Sequence, residues 1–498
     1  MKKLLAVLFV ALMATPAFAA VQNVKVSGDI DSTFVSRHNF DLGSTEGMAN
    51  ALADQNVFLT QTRLRIDSDL SDNVSATIGL INERVWNAET SDALTSTSTS
   101  SGGITTTTTT TTPTNSMNTN VQLDLAYVTL REMLYSPLTV TIGRQTFAYG
   151  NGLVFDATGT NNTATGSLSV AAADLTKRTS LDAIRAVLDY KPLTVDLFYG
   201  KASAGVFTGA IDSGDSDDID VFGTNFNYQL GDAMNTVVEA YFFARQDNSG
   251  HVNLATADKL YVPGLRVSTN PIKGLSTSAE LAWQGGAKAD TSTGTNTTGG
   301  DNIRRNAMAA QVMAAYELPV LEKYKPVASA SYTYVSGDQN PNDTRSTVGT
   351  GYTQASHEVY TAWDPFMENQ GGGTIYNTLL DLTNLHIVSV GLQASPLEDV
   401  TAKFLWTGLW LDRETENTAL HGQMSYLLRQ PDRTAQIAPV TKVGESQVGN
   451  EYDVNFDYAY TEDVKFGLNL GWFVPGDLFN YQNDSVATQA IAHVAVAF

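Results

Sequence analysis

The chain has 498 residues, no cysteine, and 52 acidic against 30 basic side chains, giving a net charge of −22. Without thiols, disulfides, thiolate metal sites and a C-x-x-C-H haem attachment are excluded, and no motif calls for a cofactor. The acidity argues against nucleic acid as a partner and suits loops that face lipopolysaccharide bridged by divalent cations.

At the N-terminus, Lys2 and Lys3 precede the apolar run Leu4–Met13 and the site Ala17-Phe18-Ala19, the pattern of a secretory signal peptide cleaved near Ala19. Residues 20–498 then form the mature chain of 498 − 19 = 479 residues, with a net charge of −22 − 2 = −24. No later stretch reaches the roughly 18 consecutive apolar residues of a membrane helix, so a spanning protein has to be a β-barrel. The chain from Val24 onwards reads that way, as 18 amphipathic segments with apolar residues at every second position. The predicted strands are Val24–Arg37, Asn56–Leu70, Asn73–Asn87, Val121–Leu134, Leu138–Phe147, Leu181–Tyr190, Leu193–Lys201, Ile219–Gln229 and Met234–Gln246. They continue with Lys259–Ser268, Leu275–Gln284, Arg304–Glu317, Lys325–Ser336, Leu385–Ala394, Val400–Asp412, Gly449–Tyr460, Val464–Val474 and Val486–Phe498.

Turns of a few residues alternate with long loops, including 88–120, 148–179, 337–383 and 412–448, as in barrels with tight periplasmic turns and long extracellular loops. The first of these holds the threonine run Thr105–Thr112 and reads as a mobile low-complexity loop. Period two is sharpest near the C-terminus: Tyr452, Val454, Phe456, Tyr458 and Tyr460 share one face, and Glu451, Asp453, Asn455 and Asp457 the other. The last strand ends on Phe498, a terminal aromatic of the kind that barrel-insertion machinery recognises. A soluble sandwich also alternates, but it does not need loops of such unequal length.

Strand parity supplies the candidate lumen charges. Arg63 and Arg65 alternate with Leu64 and Ile66, Arg185 with Ile184 and Ala186, and Arg266 with Leu265 and Val267. Likewise Arg305 alternates with Met308 and Ala310, and Lys403 with Ala402 and Phe404. A charge on the lipid face near the midplane costs about 2–4 kcal/mol, which favours placing all of these inward. Arg144 shares parity with Val140 and Ile142 and reaches the lumen only through a bulge or from an interfacial position.

Several segments resemble the alginate-export family of outer-membrane porins. They are Gly143-Arg144-Gln145 followed by Tyr149-Gly150, Arg178 with Asp182 and Arg185, and Gly337-Asp338 opening a large loop. Near the end come Val448-Gly449-Asn450-Glu451-Tyr452-Asp453 and Phe473-Val474-Pro475-Gly476-Asp477. The resemblance implies a monomeric 18-stranded barrel in the outer membrane of a Gram-negative bacterium, passing a polysaccharide or other solute through an arginine-containing, narrowed lumen. Arg63, Arg65, Arg144, Arg178 and Arg185 are then the candidates for a cationic ladder, because a guanidinium fork binds carboxylates in a bidentate manner. The acidic inventory keeps a neutral saccharide or a small organic solute open beside a polyanion.

The competing reading makes these arginines a salt-bridge lattice that props the barrel open, with Glu83, Asp189, Asp196, Glu239, Glu280, Glu317, Glu451, Asp453 and Asp457 as partners. Asp215, Asp217 and Asp218 are spaced as in a weak cation site, or form a solvated acidic loop. Trp363-Asp364-Pro365-Phe366 reads as an ordered turn, a lid or a surface clasp. The six histidines, His38, His251, His357, His386, His421 and His493, show no metal-ligand spacing. A passive selective channel, not an enzyme, is the leading reading, with lipid, lipopolysaccharide and a small-molecule or polysaccharide substrate as partners and transport either unaided or driven by a periplasmic partner. A general diffusion porin, or an adhesin, scaffold or hydrolase barrel with a closed lumen, are the alternatives. The first strand is expected directly after the cleavage site, which disfavours a transporter with a plug domain.

Overall fold

The barrel closes where its first strand meets its last. In the computed structural model, β1 (Asn23–His38) pairs with β18 (Ala487–Ala497) from Asp29 opposite Ala497 to His38 opposite Thr488. The Gly28 and Phe498 backbones complete this seam with hydrogen bonds of 2.9 and 3.0 Å, so neither strand is left as an edge. The structure describes residues 23–40, 42, 54–86, 121–135, 137–156, 174–178, 180–203, 219–248, 257–288, 303–338, 359–370, 374–414, 444–479 and 484–498, and the backbone of 90–101 and 104–115. The expected leader and the triplet Asp215, Asp217 and Asp218 lie outside the described residues.

Around the wall follow β2 (Gln55–Ser71), β3 (Val74–Val85), β4 (Gln122–Leu130), β5 (Leu138–Gln145), β6 (Leu181–Asp189), β7 (Leu193–Ser203), β8 (Ile219–Gln229) and β9 (Val237–Asp247). The second half holds β10 (Asp258–Ile272), β11 (Leu275–Lys288), β12 (Ala307–Glu317), β13 (Val327–Val335), β14 (Leu385–Leu397), β15 (Val400–Leu411), β16 (Gln447–Ala459) and β17 (Val464–Pro475). The sheet has 20 strands in all, and 20 − 2 = 18 once the short pieces Ile303–Arg305 and Val359–Tyr360, which pair in parallel with each other, are set aside. No helix among the described residues is long and apolar enough to cross a membrane.

Alternation along each strand separates the two faces. Across β10, β11 and β12, Leu265, Leu281 and Ala310 are register partners, and Leu281 is 55% exposed at mid-strand. The next rung, Arg266, Glu280 and Gln311, points the other way, with Glu280 1% and Gln311 3% exposed. Polar side chains become that inaccessible inside a barrel only when something fills the lumen.

Two features depart from the sequence reading. The threonine run is one arm of a hairpin apart from the barrel sheet, Thr90–Ser101 against Ile104–Asn115, in keeping with the strand preference of β-branched threonine. Arg305 does not stand on the long strand predicted from Arg304: that strand starts at Ala307, and residues 303–305 turn aside to pair with Val359 and Tyr360.

The assignment of faces predicts an asymmetry. Leu281→Arg should destabilise the barrel by about 2–4 kcal/mol in urea unfolding from vesicles, whereas Ser331→Arg on the lumen face should change it by less than about 1 kcal/mol. Equal effects would show that the faces are misassigned.

Candidate functional site

Described parts of two loops lie in the lumen and meet there. The first strap, between β5 and β6, is described at residues 146–156, 174–178 and 180, and the second, between β13 and β14, at residues 336–338, 359–370 and 374–384. Both are held by carboxylates of the barrel wall that accept backbone N–H groups, which gives an otherwise ladderless segment the partners its buried amides require.

In the first strap, the Tyr149 hydroxyl donates to Asp196 at 3.0 Å, Gly150 N–H to Glu239 at 3.0 Å and Asn151 N–H to Glu280 at 2.6 Å. Between those two glutamates lies Arg266, their register neighbour, which donates to Asn151 Oδ1 at 2.6 Å and Glu239 at 3.3 Å. Gly150 has φ +62°, and a Cβ there would stand 2.6 Å from Glu280 Oε1, so the close approach and the left-handed backbone both call for glycine. Burial, with Asp196 beside it, pushes the Tyr149 phenol well above its ordinary pKa and keeps it a donor. Phe147, Tyr149 and Phe155 pack on Phe198 and Phe243 of the wall, with centroids 5.0 Å apart for Phe147–Phe198 and 5.2 Å for Tyr149–Phe243. The far end of the strap is fixed to β1–β3: Glu83 accepts from Lys177 N–H at 2.7 Å and Thr176 Oγ1 at 2.8 Å, and buried Arg37 grips Asp174 at 2.6 and 2.9 Å.

The second strap starts with the segment Trp363–Phe366. Gln284 makes a reciprocal pair with the Asp364 backbone at 2.6 and 2.8 Å, and Arg245 and Arg305 reach the Asp364 carboxylate at 3.1 and 2.7 Å. Burial alone would raise the Asp364 pKa, but Arg245, Arg305 and Lys288 together hold it well below the usual carboxylate range. Phe366 packs on Phe155 of the first strap at 5.5 Å, Met367 N–H donates to Val154 O at 3.0 Å, and Asn369 N–H to Gly152 O at 2.8 Å. On the wall at β16, the short helix α1 (Ile375–Leu379) places Ile375 and Tyr376 N–H on Glu451 at 2.7 and 2.6 Å. Gly471 faces Ile375 there, its would-be Cβ only 3.3 Å from Ile375 Cδ1.

The structure brings the predicted charges into three settings. Arg63, Arg65, Arg185, Arg266 and Lys403 share the inward faces of their strands. The four arginines among them are paired: Arg63 with Asp29 at 2.7 Å, Arg65 with Asp67 at 2.8 Å, Arg185 with Asp196 at 2.5 Å and Arg266 with Glu239 at 3.3 Å. Arg178, at the end of the first strap, donates to Gln122, and its pKa is lowered by burial and by the nearby Arg144. Arg144 and Arg305 differ from the expectation. Arg144 sits on the outward register with Ile142 and Ile184, at the long-loop end of β5, and pairs with Asp182 at 2.9 Å. Arg305 belongs to the Asp364 clasp, bound also to Asp258 at 2.6 Å and only 3% exposed. Sequence reasoning missed Arg37 and Lys177, although Arg37 continues the inward parity of Asp29, Asp31 and Thr33.

Beneath the second strap, toward the short-turn end, lies a chamber of about 520 Å³ walled by β10–β15. Hydroxyls dominate it, among them Ser268, Ser278, Ser331, Thr333 and Ser389, while Gln370, Tyr376 and Leu382 of the strap form its roof. Among the described residues, its charged lining side chains are Arg266 and Lys403, and no carboxylate lines it. Lys403 stands between Gln393 and Asn455 in register and makes neither a hydrogen bond nor an ion pair among the described residues.

The alginate-export family profile matches residues 23–493. The chain belongs to the alginate-export family. Its fold is shared with porins of Pseudomonas aeruginosa. OccK2 (OpdF) in complex with glucuronate has a TM-score of 0.51 at 10% identity, over 96% of this chain and 98% of that one. OccK1 (OpdK) has the same score and identity, over 96% and 99%, and OpdK has also been solved with vanillate. Comparison with curated protein sequences gives no match. Family and fold together make the chain an outer-membrane channel for the passage of a substrate.

Within this family member, the straps should respond to loss of their acceptors. Glu451→Ala removes the acceptor for two buried amide donors, each costing about 1–3 kcal/mol when left unpaired, so amides of residues 375–380 should exchange at least tenfold faster with deuterium while those of β16 stay protected. Unchanged exchange would show that Glu451 does not hold the strap. The Asp364 clasp should be acid-sensitive: its folded-state pKa lies below the unfolded value of about 3.9, so its contribution is complete above that pH and lost as pH falls through and below it. Asp364→Asn should therefore cost about 1.5–3 kcal/mol at pH 7 in urea unfolding, with the difference from the parent shrinking below about pH 3. A difference independent of pH would show the clasp is not ionic.

Proposed function

We propose that this channel passes a small hydrophilic solute passively and selectively, and that its lumen favours anions. The observation that carries the reading is the chamber, whose charged lining is Arg266 and Lys403 in a chain of net charge −22. The two straps support selectivity over general diffusion, because they meet inside the barrel through Phe155, Met367, Gly152 and Asn369 and narrow the lumen. Lys403 is the side chain best placed to set the local field, since among the described residues it makes no ion pair and is opposed only by the field of Asp453 on β16, whereas Arg63 and Arg65 are held in contact by Asp29 and Asp67. A cation with no paired counter-charge in a narrow, partly desolvated space attracts anions more strongly than a neutralised pair does.

The test is the reversal potential of refolded protein in a planar bilayer under a potassium chloride gradient. The expected result is anion selectivity that falls in Lys403→Ala, inverts toward cations in Lys403→Glu and changes little in Arg65→Ala. Cation selectivity indifferent to Lys403 would contradict the reading.

A further inference from the structure

The outward face of the wall carries a row of charge that the lumen does not use. At the long-loop ends of β5–β10, Arg144, Asp182, Lys201, Asp220, Gln246 and Lys259 are successive register partners on six neighbouring strands. Two residues nearer the short turns, the next outward row reads Ile142, Ile184, Tyr199, Phe222, Ala244 and Tyr261, and its large side chains are exposed. Aromatic side chains collect where hydrocarbon meets headgroups, so the charged row just beyond them stands at the level of the outer-leaflet headgroups. Two outward rows near the long-loop ends of β14–β17 are uncharged: Val388, Gly408, Asn450 and Val474, and then Val390, Trp406, Tyr452 and Trp472. Arg144 pairs with Asp182 at 2.9 Å and Lys201 with Asp220 at 3.1 Å, while the Tyr199 hydroxyl donates to Asp220 at 2.7 Å. Lys259 makes neither a hydrogen bond nor an ion pair among the described residues. Three cations thus face two carboxylates, leaving this sector positive in a chain of net charge −22.

We propose that this row is a docking site for the bis-phosphorylated headgroup of lipopolysaccharide, which it holds against the β5–β10 side of the barrel. The Arg144 guanidinium offers a phosphate its fork, and Lys201 and Lys259 act as point charges, all through charge-assisted hydrogen bonds. Neighbouring strands lie about 4.8 Å apart, which separates Arg144 from Lys201 by about 10 Å and Lys201 from Lys259 by about 14 Å, so different cations meet different phosphates. Below them, the exposed Ile142, Ile184, Tyr199 and Phe222 receive the acyl chains. Mutual neutralisation alone is a weak reason for the row, because exposed ion pairs add little to stability and Lys259 has no pair among the described residues. Asp182 and Asp220 instead fix where Arg144 and Lys201 stand. The site is independent of the reading of the lumen, since its side chains are on the opposite face of the wall.

Native mass spectrometry of the delipidated full chain in detergent, titrated with bis-phosphorylated lipid A, tests the proposal. The comparison probes are monophosphorylated lipid A and phosphatidylglycerol, with inorganic phosphate as competitor. Bis-phosphorylated lipid A is expected to bind at least about tenfold more tightly than either comparison lipid and to stay bound in equimolar inorganic phosphate. The double variant Arg144→Ala/Lys201→Ala should weaken it about tenfold and Lys259→Ala about threefold, while Arg144→Lys retains most of the affinity. Lys259→Ala breaks no pair among the described residues, so its readout does not depend on the stability of the Arg144 and Lys201 pairs. Lys323→Ala, in the short turn between β12 and β13, should leave binding unchanged. Phosphatidylglycerol or monophosphorylated lipid A bound as tightly, displacement by inorganic phosphate, or indifference to Lys259→Ala and to the double variant would each overturn the proposal.

Discussion

The architecture of the lumen depends on one interaction, a wall carboxylate accepting backbone N–H groups from a loop that has left the surface. Glu83, Glu239, Glu280 and Glu451 each do this, at 2.6–3.0 Å. A loop entering a barrel carries peptide groups that no ladder satisfies, and leaving one buried donor unpaired costs about 1–3 kcal/mol. Carboxylates spaced around the wall remove that cost at fixed points. They also specify where each loop sits, because a strand holds its side chains more rigidly than a loop can. Aromatic packing of Phe147, Phe155 and Phe366 on Phe198 and Phe243 then fills the space between the anchors.

This arrangement also sets the electrostatics. The chain is strongly acidic, yet Glu83, Glu239, Glu280 and Glu451 on the inward face are engaged by the straps, and among the described residues the charged lining of the chamber is cationic. Net charge of the whole chain is therefore a poor guide to what the lumen prefers. The same glutamates that position the loops are turned to the strap backbone and do not line the chamber, so fixing the constriction and setting the lining of the chamber are one structural act.

The barrel was legible in the sequence because period-two patterning and unequal connections are consequences of a wall with lipid on one side and water on the other. Parity likewise placed Arg63, Arg65, Arg185, Arg266 and Lys403 inward. What the sequence left hidden arises from contacts between residues far apart in the chain. Glu280 and Glu451 read as partners for arginines, and nothing local shows that Asn151 and Ile375 will present amides to them. Arg305 was misplaced because alternation continues through a point where the chain turns aside to pair with Val359 and Tyr360. For Arg144, parity with Ile142 was a correct signal of an outward position, and the resemblance to a porin motif argued against it. The Tyr149-Gly150 motif was visible, but its purpose appears only when Gly150 is seen against Glu239 and Glu280.

The central claim is that the chamber is electropositive inside an acidic protein, and the absence of native cysteine makes it directly measurable. A single cysteine introduced as Ser331→Cys can be labelled with methanethiosulfonate reagents of equal size and opposite charge at low ionic strength. The account predicts that the anionic reagent reacts several-fold faster than the cationic one, and that Lys403→Ala narrows the gap. Faster reaction of the cationic reagent at this position would contradict it.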